Sequence, residues 1–326
     1  MRSRAARRFA SAVVALLCLA QVGLSVAARA DGPLSATRAQ VQALSEGDPD
    51  EPIALVRLVQ TQDPSGFSRY MMALETELAA VGATRVYGGR VVQEMAGGDL
   101  PYDAIVIDLF PTRRTCVQAL RAVDPMVESL GIRDAFVLAV RPWSPSFRVA
   151  AGAAAGVLGS FPRAVGDPPP FPQTQDGGGP AIAPDARSVA AFNQSSQDTS
   201  FAMLNLNLFR ARAAPPQGDD PDAGLSGEEA YTRYGRTALW HVLRRGGRLL
   251  FEGRPIAVVV GASDNPLDLA WSQLALVYYP SRKHMRDMLA DPDYRAVIPH
   301  RVAGLERAAL LVTEPWPPFD PAHAKE

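Results

Sequence analysis

The chain has 326 residues, 47% hydrophobic and 21% charged, a globular balance that excludes a disordered protein. That length can hold two domains of ordinary size, each with its own core. Its 33 basic and 34 acidic residues offer none of the basic excess that a nucleic-acid-binding face requires, which argues against nucleic acid as a partner.

Residues 1–30 read as a signal peptide. Arg2, Arg4, Arg7 and Arg8 form a basic start, residues 9–26 are mostly apolar with a leucine-rich centre, and Ala28-Arg29-Ala30 is the small-x-small pattern read by signal peptidase. Cleavage near Ala30 predicts an exported protein, in the bacterial periplasm or outside the cell, without a stable membrane span. Retention as an anchor is the alternative, disfavoured by an apolar run that is short and interrupted by Ser11 and Gln21. Loss of the five arginines in this segment leaves 28 basic against 34 acidic residues, a net charge of −6. Cys18 leaves with it, so Cys116 stands alone and no intramolecular disulfide can form. Stability must then come from packing, and Cys116 reads as a small buried apolar residue.

A first unit spans residues 50–142. Residues 52–59 read as a strand, and 67–81 as a helix with Tyr70, Leu74 and Leu78 at helical spacing, closed by Gly82. Strands follow at 84–92 and 102–109, then a helix capped by Thr112, then a strand at 135–140. The order is β-α-β-β-α-β, the ferredoxin-like unit. Residues 143–199 read as a Pro/Gly/Ala-rich linker with a short helix near 188–192, because Pro168-Pro-Pro-Phe-Pro172 and Gly177-Gly-Gly-Pro180 cannot sustain regular structure.

A second unit, residues 200–315, repeats the order. Residues 201–209 are its first strand. Ser226 with Glu229 makes a capping box for a helix that stops at Gly246-Gly247. Strands at 248–260 and 271–279, a helix capped by Ser281 that ends near Asp291-Pro292, and a strand at 308–313 complete it. Residues 316–326 read as a loose tail.

The two units carry matching residues. At an offset of 164, Arg69-Tyr70 recurs as Arg233-Tyr234, Gly82 as Gly246, Tyr87 as Phe251, Gly89 as Gly253 and Arg90 as Arg254. At 169, Phe110-Pro-Thr-Arg113 answers Tyr279-Pro-Ser-Arg282. Such repetition predicts one architecture used twice. A four-stranded sheet with helices on one face must bury the other, and two units in one chain can bury those faces against each other. The expected fold is α+β: two tandem ferredoxin-like units paired sheet to sheet. On strand 201–209, Met203, Asn205, Asn207 and Phe209 point to one side, and Leu204, Leu206 and Leu208 to the other.

The second unit resembles DUF1330-type proteins of the dimeric α/β-barrel superfamily. The resemblance lies in the run from Phe201 to Arg210, in Ser226-Gly-Glu-Glu-Ala-Tyr-Thr-Arg-Tyr234, in Gly246-Gly-Arg-Leu-Leu250, in Tyr279-Pro-Ser-Arg282, and in Asp291-Pro-Asp-Tyr294 with Pro299-His-Arg301. It implies an intramolecular version of that barrel and no settled activity. The first unit lacks the Asp-Pro-x-Tyr and Pro-His-Arg motifs, so a working pocket is expected in the second. Family members often carry Trp-Asp where this chain has Trp271-Ser272.

The chemistry is sparse. His241, His284, His300 and His323 include no i, i+4 pair, and no cysteine joins them, so no metal site is expected. There is no phosphate loop in a strand–helix context and no Gly-x-Ser-x-Gly. Asn205 and Asn207 are amides on one strand face, and they either contact a ligand or bridge the sheet interface. Tyr234 shares an apolar helix stripe with Tyr231, Ala238 and Val242, which core packing explains as well as ligand contact. Tyr279 ends a strand. His300 and Arg301 are expected after the last helical turn, where a histidine serves as acid/base group, iron ligand or cap for helix-end carbonyls.

The reading is a protein that binds a small, largely apolar molecule in a sheet–helix pocket of the second unit. Its ligand-binding set is Asn205, Asn207, Tyr234, Tyr279, His300 and Arg301, with His300 and Tyr279 as catalytic candidates. The resemblance implies an alternative, a cofactor-free or haem-dependent monooxygenase. Haem-degrading members of the superfamily use an Asn, a Trp and a His, answered here by Asn205 or Asn207, Tyr279 and His300. No cofactor is required by the residues themselves; haem is the one that the resemblance admits. A non-catalytic envelope interaction module is the third reading. The two units form an internal pseudo-dimer, and association into homodimers stays open.

Overall fold

A computed structural model describes residues 34–123, 127–159, 163–171, 179, 181–214, 222–262 and 264–316. The proposed signal peptide and residues 317–326 lie outside them.

In chain order, α1 (Arg38–Ser45), β1 (Ile53–Thr61), α2 (Pro64–Val81), β2 (Thr84–Ala96), β3 (Ala104–Phe110), α3 (Arg113–Val123) and β4 (Ile132–Pro142) form a first half. Then come α4 (Pro145–Gly159) and α5 (Ala186–Gln194). The second half holds β5 (Phe201–Phe209), α6 (Gly227–Arg244), β6 (Arg248–Val260), β7 (Gln273–Tyr279), α7 (Arg282–Ala290), α8 (Pro292–Gly304) and β8 (Leu305–Pro315).

All eight strands pair antiparallel and close a barrel in the order β1-β3-β2-β8-β5-β7-β6-β4. The order is one pattern used twice, β4-β1-β3-β2 and then β8-β5-β7-β6. The halves meet face to face in the interior and are also hydrogen-bonded edge to edge, through β2–β8 and β4–β6. Two of the repeated glycines sit at these seams. Gly89 lies opposite Pro315 and Gly253 opposite Pro142. A Cβ at Gly89 would come within 2.8 Å of the Glu314 carbonyl oxygen, and one at Gly253 within 2.5 Å of that of Arg141. Only glycine permits so close an approach of backbones.

Strand alternation fills the barrel. Val56, Leu58, Ile105, Ile107 and Leu138 of the first half pack with Leu204, Leu206, Leu274, Leu276 and Leu311 of the second. Tyr87 and Phe251, partners in the repeat, both point inward. The opposite faces carry the helices. Asp63 accepts from the N–H groups of Ser65 and Gly66 to start α2, and Gly82, at φ +67°, ends it. Ser226 and Glu229 form the capping box of α6, and Gly246 follows at φ +73°.

Each half also includes the short helix before its first strand, held by a buried arginine from the repeat. Arg113 donates to the carbonyls of Leu44, at 2.6 Å, and Asp48. Arg282 donates to Ser196 O at 3.0 Å and sits over the rings of Phe192 and Phe201.

Several local expectations are corrected. The segment at 143–199 contains the 15-residue helix α4 as well as α5; the alanines of α4 favour helix and outweigh its glycines. Pro292 begins α8, because proline fits the first helical turn and Asp291 caps it by accepting from Asp293 N–H. His300 and Arg301 therefore lie inside a helix. The Ser281 side chain makes no cap hydrogen bond; its hydroxyl pairs with His284 Nδ1 at 2.8 Å. Trp316 is no loose tail residue, for it packs edge-on against Phe67 with ring centroids 4.9 Å apart.

Candidate functional site

A cavity of about 400 Å³ opens between α6 and the outer face of the second half's sheet. Alternation along β7 turns Gln273, Ala275, Val277 and Tyr279 toward it. From β5 it takes Asn205 and Phe209, and from α6 a stripe that includes Tyr231, Tyr234, Ala238, Leu239 and Val242. Strand β6 contributes Leu249 and Glu252. Those two are three residues apart, and strict alternation would set them on opposite faces. The register slips between Leu249 and Phe251, so the bulge turns Phe251 into the barrel and Glu252 out to the cavity. Arg254, Glu228, Arg236 and Trp143 lie at its rim, where Arg254 and Glu228 form an exposed ion pair at 2.8 Å.

One end of the cavity is polar. Asn207 is 1% exposed and its Nδ2 donates to Tyr231 Oη at 3.0 Å and to Gln273 Oε1 at 2.9 Å. Gln273 Nε2 in turn donates to Glu252 Oε1. Burial raises the Glu252 carboxyl to about 8, against the opposing pull of the Gln273 hydrogen bond. Burial likewise pushes the phenols of Tyr231 and Tyr279 well above their ordinary value.

Of the residues singled out from the sequence, Asn205, Tyr234 and Tyr279 line the cavity. Asn205 Nδ2 donates to the Met203 carbonyl at 3.0 Å. Asn207 stands directly behind and ties the sheet to α6. The Tyr234 hydroxyl pairs with that of Tyr294 at 2.7 Å. His300 and Arg301 are not among the lining residues. His300 Nδ1 bonds the buried carboxylate of Asp222 at 2.7 Å, which also binds Arg233, and Arg301 donates to Ile182 O at 2.8 Å. Their place within α8 turns both away from the cavity. Glu252 and Gln273 were missed by sequence reasoning. The repeat held one usable signal, since the 164 offset sets Glu252 against Gly88.

Among the described residues, the first half does not repeat this arrangement. At the same register positions, Val59 pairs with Ala104 where Asn207 pairs with Gln273, and Gly88 pairs with Val106 where Glu252 pairs with Ala275. A Cβ at Gly88 would meet Met71 Cε at 2.7 Å. Phe67 replaces Tyr231 at the repeat offset and carries the Trp316 ring. Arg57, at the position of Asn205, forms a buried ion pair with Asp108, which also accepts from Arg85 Nε at 2.9 Å.

Among the described residues, no cluster of His, Cys, Asp and Glu is placed to hold a metal ion, and no helix is long and apolar enough to cross a membrane. Burial pushes the Cys116 thiol up to about 12, away from nucleophilic reactivity.

Fold and site together define a closed antiparallel α/β barrel with one helix-covered, tyrosine-lined cavity described in its second half. No family model and no curated protein matches the chain, so the likeness to DUF1330-type proteins rests on its motifs. Among solved structures it is similar to RPA0582, a protein of unknown function from Rhodopseudomonas palustris, with 31% identity over 42% of this chain and 98% of that one, at a TM-score of 0.37. It is also similar to a mutant chlorite dismutase from Candidatus Nitrospira defluvii, with 10% identity over 85% of this chain and 95% of that one, at 0.41. An anthrone oxidase-like protein gives 10% identity over 82% and 92%, at 0.39.

Proposed function

We propose that this chain binds a small, largely apolar molecule in the cavity beneath α6. The observation that carries this reading is the asymmetry of the repeat. The second half keeps open, with buried polar groups at one end, a space whose first-half counterpart is closed by Trp316, Phe67 and the Arg57–Asp108 pair. A mostly apolar cleft with a few convergent polar groups is the usual form of a small-molecule site. The first half then serves as the structural partner. In this reading the chain is an internal pair of ferredoxin-like units, residues 50–142 and 200–315, arranged as an intramolecular dimeric α/β barrel of the DUF1330 type. It is exported after cleavage near Ala30, which the intact mass of the protein from its own host tests.

The haem-dependent alternative is not supported by the residues present. Among the described residues no histidine lines the cavity, and the Asp222 carboxylate holds His300 elsewhere.

The test is a ligand-observed NMR screen of small aromatic and aliphatic fragments against the wild type and Ala275→Phe, which fills the centre of the cavity. Apolar fragments bound by the wild type should be released by the variant. If Ala275→Phe binds the same set equally well, the site is elsewhere.

A further inference from the structure

The polar end of the cavity is a chain of hydrogen bonds with a single direction. Asn207 spends both amide hydrogens, one on the Tyr231 hydroxyl oxygen and one on Gln273 Oε1. Gln273, its oxygen so occupied, turns its N–H to Glu252 Oε1. Glu252 is thus an acceptor at Oε1, and the proton of its acid form belongs on Oε2. Tyr231 accepts from Asn207 and keeps its own proton to give. Both residues line the cavity.

We propose that the ligand carries, on an otherwise apolar body, one neutral accepting oxygen of the ketone or aldehyde class, held by Glu252 Oε2–H and Tyr231 Oη–H. This rests on the cavity being a binding site. The buried acid of Glu252 and the half-buried phenol of Tyr231 are donors whose hydrogens are costly to leave unmatched against an apolar space, and a carbonyl oxygen with two lone pairs matches both. A carboxylate ligand gains less, because it meets Glu252 as a second acid in a desolvated space.

Burial keeps Glu252 neutral at pH 7 and lets it ionise near pH 8, so the donor is present below that pH and lost above it. Other titratable and charged groups surround it. From α6 come Tyr231 and Tyr234, with Glu228 and Arg236 at the rim. Strand β6 adds Arg254, β7 adds Tyr279, and α8 adds Tyr294 and Arg301 beyond the tyrosines. Burial holds Tyr231, Tyr279 and Tyr294 protonated. Glu228 is exposed and pairs with Arg254.

The experiment compares α-tetralone with tetralin, a ketone and a hydrocarbon of nearly equal shape, by calorimetric titration of the full chain between pH 6 and 9.5. At pH 7 the ketone should bind about tenfold more tightly, and its advantage should fall away as pH passes 8. Glu252→Gln, whose amide still donates, should keep the ketone advantage at every pH. Glu252→Leu should lose it throughout. Thermal melts show that each variant is folded before titration. If ketone and hydrocarbon bind alike, or if the wild-type preference ignores pH, this inference fails while the cavity reading survives. If neither binds and Ala275→Phe changes no fragment, the cavity reading fails and takes this one with it.

Discussion

Trp143 and Trp316 hold the same place in the two halves of the barrel. Each directly follows the last strand of its half, and each donates its backbone N–H to the second strand of the other half, Trp143 to Glu252 O at 3.0 Å and Trp316 to Gly88 O at 2.9 Å. Their rings differ in use. The Trp316 indole packs on Phe67 within the first-half core, whereas Trp143 is 37% exposed at the rim of the second-half cavity.

Trp316→Ala should therefore cost about 2–3 kcal/mol, somewhat less than loss of a fully buried aromatic. Trp143→Ala should cost less than about 1 kcal/mol. Urea unfolding of both variants checks this. Equal losses would contradict the assigned asymmetry.

Glu252 makes stability depend on pH. Its carboxyl is raised from 4.5 to about 8, so between those values the folded chain holds a proton that the unfolded chain has released. Its contribution is complete below pH 4.5 and is lost as pH rises through 8, at about 1.4 kcal/mol per pH unit as an upper limit. Glu252→Gln should flatten this slope and gain on the wild type as pH rises from 5 to 8, as read from melting temperatures across that range. Parallel curves would show that Glu252 is ionised in the folded chain.

Arg245 anchors a buried charge network. It is 1% exposed and donates to Asp287 Oδ2 at 2.7 Å, Asp291 Oδ2 at 2.9 Å and His241 Nδ1 at 3.0 Å. Burial lowers His241, with neighbouring arginines adding to the effect, so its Nδ1 is free to accept. At Asp291 burial opposes ionisation, but the hydrogen bonds from Arg245 and Asp293 N–H prevail and hold the carboxyl below its usual value. Arg245→Met leaves Asp291 buried without its main partner and should cost about 3–5 kcal/mol at pH 7. The Asp291 share is present above pH 3.8 and lost as pH falls below it, so the gap between variant and wild type should narrow in acid. Chemical denaturation at pH 7 and pH 3 measures both.

Gly253→Val should loosen the β4–β6 seam, because its side chain would begin 2.5 Å from the Arg141 carbonyl oxygen. A loss of about 1–3 kcal/mol is expected, with amide exchange rising first at Val140 and Ala257. Protection unchanged at both would argue that the seam does not depend on this close approach.

What could be read from the sequence was local or periodic. Alternation along residues 201–209 separated Asn205 and Asn207 from Leu204 and Leu206, and the capping residues Ser226, Glu229 and Gly82 bounded their helices, because these relations span a few residues of one element. The repeat gave the strand pattern of both halves. Pro292 misled for a related reason, since proline stops one helix and starts another, and only the Asp291 cap decides between them.

The cavity's chemistry was settled by tertiary contacts. A bulge of one residue brings Glu252 to the outer face, and alternation alone cannot reveal it. Gln273 and Asn207 lie 66 residues apart, and the first-half plug comes from Trp316, at the far end of the described chain. His300 carries the residue type of a catalyst, yet its partner is Asp222, 78 residues earlier. Side-chain protonation and cavity shape depend on burial and on neighbours from distant strands. Those are properties of the closed barrel, and they arise only once both seams have formed.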